Sequence, residues 1–157
     1  MDQMYATRSL SIGEAFDKAI KNIFIYTGRA RRSEFWWPMA IVYLINILLT
    51  PILGSIMSLL TIPLKIRRLH DTGRSGWWWG VGAILQVVVY SYFIYDLITS
   101  IIMNDPVGKR VVFLFVAKYL FVWSLILLYK LILFIFYCLD SQPTTNKYGP
   151  SPKYPVE

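Results

Sequence analysis

From Ser11 onward, hydrophobic positions recur at helical spacing. Ile12, Phe16, Ala19, Ile20, Ile23 and Phe24 lie mostly three or four residues apart, with Glu14, Asp17, Lys18, Lys21 and Asn22 filling the other side. Side chains so spaced share one face of an α-helix. Ser11 and Glu14 stand in the S-x-x-E order of a capping box, which satisfies two free backbone N–H groups at a helix start. Gly28, just beyond Tyr26 and Thr27, is a natural stop. The pattern predicts an amphipathic helix over 11–27. Such a helix suits either a membrane surface or docking on the rest of the chain.

Three long apolar stretches follow. Residues 35–64 carry no charge, 77–103 carry one (Asp96) and 111–139 carry two (Lys118 and Lys130). A bilayer core needs about 20 apolar residues per helical span. The second and third stretches each predict one span, at 77–103 and 111–139. The first is either one long helix of about 45 Å or a hairpin of two short helices. The hairpin would run over 35–50 and 52–66, turning near Thr50-Pro51 to Gly54. Loop charge separates the two, because Lys and Arg gather on the cytoplasmic side. With one helix and a cytoplasmic N-terminus, eight basic residues fall inside and six outside. With the hairpin, twelve fall inside and only Lys109 and Arg110 outside. The hairpin is therefore favoured, with both termini and residues 67–76 cytoplasmic. Trp36, Trp37, Trp77, Trp78 and Trp79 then share the cytoplasmic interface, a depth that suits amphipathic indoles.

Beyond Asp140 the composition changes. Ser, Pro, Thr, Asn and Gly dominate, and four prolines between 143 and 155 forbid a continuing helix. The chain thus divides into a cytoplasmic segment (1–34), a membrane bundle (35–139) and a cytoplasmic tail (140–157). The fold class expected is all-α, a polytopic membrane bundle of about four helices with an amphipathic N-terminal helix. The first 34 residues contain six basic and four acidic side chains and no long apolar run, so no cleavable signal peptide is expected there.

Composition points the same way. Of 157 residues, 56% are hydrophobic, 17% aromatic and 16% charged. So much apolar side chain cannot be hidden in a water-soluble domain of this size, and the aromatic content excludes a disordered chain. The net charge of +7 suits the cytoplasmic face of a membrane protein and anionic lipid rather than nucleic acid. Cys138 is the lone cysteine and His70 the lone histidine, so neither a disulfide nor a zinc site of the usual ligand count can form within the chain. No cofactor is expected.

Three segments stand out together. The first is Gly28-Arg29-Ala30-Arg31-Arg32-Ser33-Glu34-Phe35-Trp36-Trp37. The second is Arg67-Arg68-Leu69-His70-Asp71-Thr72-Gly73-Arg74-Ser75-Gly76-Trp77-Trp78, and the third is Asn146-Lys147-Tyr148-Gly149-Pro150. In that order they resemble the bacterial inner-membrane proteins grouped as domain of unknown function 805, the YhaH/YhaI-like family. The resemblance runs over about 15–152, nearly the whole chain. It implies a small multi-pass bacterial inner-membrane protein and no established activity.

The cytoplasmic face would gather Arg29, Arg31, Arg32, Arg67, Arg68 and Arg74. Guanidinium groups bind phosphate bidentately, so these residues suit a lipid headgroup. Equally, they can mark topology alone, or form an internal lattice with Glu34 and Asp71. His70-Asp71 invites a catalytic role, but metal-dependent hydrolases need further His ligands, and no nucleophile elbow precedes Ser33 or Ser75. An ordering role for His70 and Asp71 fits better, and no enzymatic activity is expected. Asp96, Lys118 and Lys130 sit inside apolar spans, where a lone charge costs about 2.5–3.5 kcal/mol on insertion scales. Asp96 and Lys118 are equally far from a turn centred near Val107, so an antiparallel pair brings them level. They suit a structural ion pair, or, alternatively, a small transporter or channel component. Lys130 can snorkel to the interface. The expectation is a non-enzymatic inner-membrane protein that engages anionic lipid headgroups or a protein partner through its arginine-rich cap. The oligomeric state is left open.

Overall fold

The computed structural model describes residues 6–48, 51–102 and 109–154; for 51–54, 101–102 and 109–114 it describes the backbone alone. The described residues form six helices and no named strand: α1 (Ile12–Lys21), α2 (Arg32–Leu48), α3 (Pro51–Leu60), α4 (Ile62–Asp71), α5 (Trp77–Ile102) and α6 (Lys109–Cys138). The all-α class read from the sequence is the class observed. The reversals expected at Thr50 and near Val107 involve residues 49–50 and 103–108, which lie outside the described residues. So do the side chains of Lys109 and Arg110.

Contacts divide the chain into two units. The first is Met1–Trp78 with Ile135–Glu157, and the second is Trp79–Phe134. In the first, α1 begins with the expected capping box. The Ser11 hydroxyl accepts from the Glu14 N–H, and the Glu14 carboxylate accepts from the Ser11 N–H at 2.9 Å. The helix is shorter than expected, ending at Lys21 rather than Thr27. Asn22 ends it: its side-chain amide donates to the Lys18 carbonyl at 2.8 Å, and the Ile23 N–H tightens onto Ile20. Asn competes well for backbone partners and so favours helix ends. Gly28, at φ +82°, instead serves the turn that leads into Arg29.

The charge-free stretch does not run as one long helix. The Ala30 N–H donates to the Arg67 carbonyl at 3.0 Å, so the chain leaving α3 has returned to the start of α2. A single straight helix over those residues would hold its ends about 45 Å apart. The expected second arm, 52–66, is itself divided. α3 stops at Leu60, Thr61 takes φ −88° and ψ 0°, and α4 starts at Ile62 with Pro63 in its first turn. Proline has no N–H to give to the preceding turn, and its ring fits best at a helix start. Residues 67–71, expected as loop, are the last turns of α4. This change matters, because it sets Arg68 and Asp71 three residues apart on one helix face.

Phe35, Met39 and Val42 from α2 bury with Ala30 and with Leu64 of α4. Ala19 of α1, Met57 of α3 and Tyr137 near the end of α6 pack around them. This core ties four helices and the end of α6 into one unit.

The second unit holds the bodies of α5 and α6. Among the described residues, two helical segments are long and apolar enough to cross a membrane, Trp77–Ser100 and Phe115–Cys138. They lie within the stretches 77–103 and 111–139 that the sequence marks as apolar. Phe93 stands edge-on to Tyr119 at 4.9 Å, and Tyr90 edge-on to Trp123 at 5.1 Å. Gly82 makes room for a ring, since a Cβ there would lie 2.5 Å from Tyr129 Cε1.

Candidate functional site

The two arginine motifs and the tail meet in the first unit, around Asp71. Asp71 and Arg68 are both fully buried. Asp71 Oδ1 accepts from Arg29 Nε at 3.0 Å; Oδ2 accepts from Arg68 Nη1 and from the Ser141 hydroxyl, each at 2.5 Å. Arg29 uses all five of its N–H groups. Beyond Asp71 Oδ1, Nη1 donates to the carbonyls of Thr144 (2.9 Å) and Gly149 (3.3 Å), and Nη2 to those of Gln142 (2.5 Å) and Asp71 (3.3 Å). Arg68 also donates to the Ala30 carbonyl at 3.3 Å, to Tyr137 at 3.1 Å and to Leu139. The last two carbonyls belong to the end of α6, where helix carbonyls have no partner of their own and a cation is favourable. Burial pulls the Arg68 guanidinium below its ordinary pKa, while the Asp71 charge opposes that shift.

Glu34 forms a second centre. It is fully buried, accepts from Arg67 Nη2 at 2.5 Å, and sits 3.1 Å from Lys18 Nζ on α1. Arg29 with Asp71 and Arg67 with Glu34 are thus paired across the two motifs. Arg31 is also buried and reaches the N-terminal segment, donating to the Thr7 hydroxyl at 2.8 Å and to the carbonyls of Thr7 and Arg8. Arg32 is half-exposed and pairs with Asp140 at 3.0 Å; Asp140 also meets Lys153 at 2.6 Å. Burial works against the Asp140 charge, but Lys153, the Ser141 N–H and Arg32 together hold its pKa below the ordinary carboxylate value. Arg74 lies over the Phe136 ring at 4.0 Å and donates to the Thr72 carbonyl at 3.1 Å.

His70 is held by structural contacts. Its ring stacks on Tyr148 at 3.7 Å and 5°, and Nδ1 lies 3.1 Å from the Gly28 carbonyl, as a neutral ring donating there would. Burial lowers its pKa, the Gly28 bond opposes this, and nearby Lys147 and Arg67 add to the lowering. Ser33 accepts from the Leu10 N–H and Ser75 from the Trp77 N–H, so each hydroxyl is used by local backbone. Among the described residues no three His, Cys, Asp or Glu side chains cluster as metal ligands would.

The tail contributes more to this site than the third motif alone suggests. Ser141, Gln142, Thr144, Asn146, Tyr148 and Gly149 all bond or stack against the motif residues. Gly73, at φ +77°, is pressed against Gln142: a Cβ there would lie 2.3 Å from its amide nitrogen. The one sequence signal for this was the Asn146-to-Pro150 motif.

In the second unit, Lys118 Nζ lies 2.6 Å from Asp96 Oδ2, and the Tyr119 hydroxyl donates to the same oxygen at 2.7 Å. Tyr119 is an addition to the expected pair. Lys130 is exposed, about 18 Å along α6 from Lys118.

The family model described as "Protein of unknown function (DUF805)" matches residues 23–150, which include all three motifs. The chain belongs to this family. The inner membrane protein YhaH of Escherichia coli (strain K12) is 27% identical over 158 residues, covering 87% of this chain and 93% of that protein. The inner membrane protein YhaI of the same strain is 29% identical over 149 residues, covering 86% and 92%. No solved structure matches the chain. Family membership and the two apolar helices agree on an integral membrane protein. The family description names no activity, and the geometry around His70 and Asp71 indicates none.

Proposed function

We propose that this DUF805 member is a non-enzymatic, multi-pass protein of the bacterial inner membrane with both termini in the cytoplasm. Its cap, in this account, is a rigid cationic platform that holds anionic phospholipid headgroups. The charge balance of the first unit carries the proposal. Its described residues include twelve Lys and Arg against five Asp and Glu. All five carboxylates are already engaged in ion pairs within the unit. The surplus is therefore uncompensated positive charge, which attracts an anionic leaflet at about 1 kcal/mol per basic residue near the surface. Arg29, Arg31, Arg67 and Arg68 are not the lipid ligands, because they are buried and bonded internally. They build the platform, and Arg74 and Lys147, which pair with no carboxylate among the described residues, supply the attraction.

Four membrane helices, with α2 and α3 as a short hairpin, agree best with the return of the chain to Arg67 and with the positive-inside rule. The transport alternative uses Asp96 and Lys118. Their mutual bond, reinforced by Tyr119, supports a structural pair instead. Native mass spectrometry of the detergent-solubilised protein with equal phosphatidylglycerol and phosphatidylcholine tests the lipid proposal. Preferential retention of phosphatidylglycerol, reduced in an Arg74→Gln, Lys147→Gln variant, is expected. Equal retention of both lipids would refute it, and co-purification of a stoichiometric protein in place of lipid would favour a protein partner.

A further inference from the structure

The amphipathic face of α1 is only half used by the fold. Ala15 is fully buried and Ala19 packs on the core, while Lys18 reaches Glu34. On the far side, Asp17 and Lys21 pair at 2.7 Å in solvent. Between these two sides, at the spacing of a helix face, stand Ile12 and Ile20, 49% and 64% exposed. The apolar strip continues past the helix end through Phe24 (79% exposed), Ile25 and Tyr26. No ion pair or capping need explains five large apolar side chains left open together on a charged cap.

We infer that this strip lies in the bilayer surface, at the boundary of headgroups and acyl chains, and holds α1 flat against the membrane. Three observations favour lipid as the occupant. Phe24 is eleven residues from Phe35, which opens the charge-free stretch, so the chain itself keeps the bilayer within reach. The unit around the strip is strongly basic, as amphipathic surface helices are, and an anionic leaflet complements it. Five partly exposed side chains are also too small a patch for a stable protein interface, which buries about 800 Å² per partner. The inference rests on the membrane placement of the cap proposed above and names the element that makes the contact.

Spin labels introduced singly in a Cys138→Ser background test it, using the full chain reconstituted in phosphatidylcholine vesicles with and without phosphatidylglycerol. The labelled variants are Ile20→Cys, Phe24→Cys and, on the charged side, Asp17→Cys. All three side chains are solvent-facing, so the fold tolerates the labels. At 20 and 24, collisions with lipid-soluble oxygen are expected to exceed those with a water-soluble nickel complex, and at 17 the order should reverse. Nickel dominating at 24 as it does at 17 would overturn the inference. So would low collision with both reagents together with spin–spin broadening, which would indicate a second copy. Insertion in pure phosphatidylcholine, without lipid preference in the mass measurement, would remove the anionic-lipid proposal and leave this one standing.

Discussion

Asp71 and Arg32 each make an ion pair, but their burial differs, and so does what each contributes. Asp71 is fully buried between Arg29 and Arg68, whereas Arg32 and Asp140 are each 46% exposed. Removing one partner of a buried pair leaves a charge stranded, at a cost of about 3–5 kcal/mol. An exposed pair is worth about 0–1 kcal/mol. Asp71→Asn should therefore lower the thermal unfolding midpoint in detergent strongly, and Arg32→Gln should leave it nearly unchanged. Equal shifts would show that the lattice is not what holds the cap. Opposite charges at Glu34 and Asp71, beside six arginines and the tryptophans, made an internal lattice one of the readings open in the sequence, without choosing which arginines would pair. The remaining acceptors were not legible. Arg29 and Arg68 bond mainly to backbone carbonyls of residues such as Gln142, Thr144 and Leu139, and every residue type carries a carbonyl.

At the scale of elements, α5 and α6 fall on the long apolar runs near 77–103 and 111–139, because such runs bounded by charge leave little choice of helix. α1 and α4 were misjudged at their ends. The apolar period continues past Asn22 although the helix does not, and the basic residues after Lys65 look like loop although they complete α4. At α1 the local bonds of Asn22 end the helix, whereas the end of α4 is held where the Ala30 N–H meets the Arg67 carbonyl. The pairing of Asp96 with Lys118 followed from equal distance to a turn, and it predicts a non-additive pair of substitutions. Asp96→Asn and Lys118→Met should each lower folded yield in membranes, since each strands a charge in hydrocarbon. The double variant should recover part of the loss, as judged by the monodisperse fraction after solubilisation. Strictly additive losses would leave the 2.6 Å contact without energetic weight.

At the scale of the whole molecule, the account depends on one arrangement. The N-terminal segment, the end of α4 and the tail form one cap, and in the proposed topology that cap faces the cytoplasm. Thr7 bonds to Lys153, Ala30 to Arg67 and Arg29 to Gln142, so these three segments cannot lie on opposite sides of a membrane. The proposed topology puts them inside because it leaves twelve loop and terminal cations in the cytoplasm against Lys109 and Arg110 outside. The direct measurement is labelling of single cysteines, Arg74→Cys and Lys109→Cys in a Cys138→Ser background, by a membrane-impermeant maleimide on intact spheroplasts. The account predicts reaction at position 109 from outside, and at position 74 only after the membrane is opened. Labelling of both positions from the same side would contradict it.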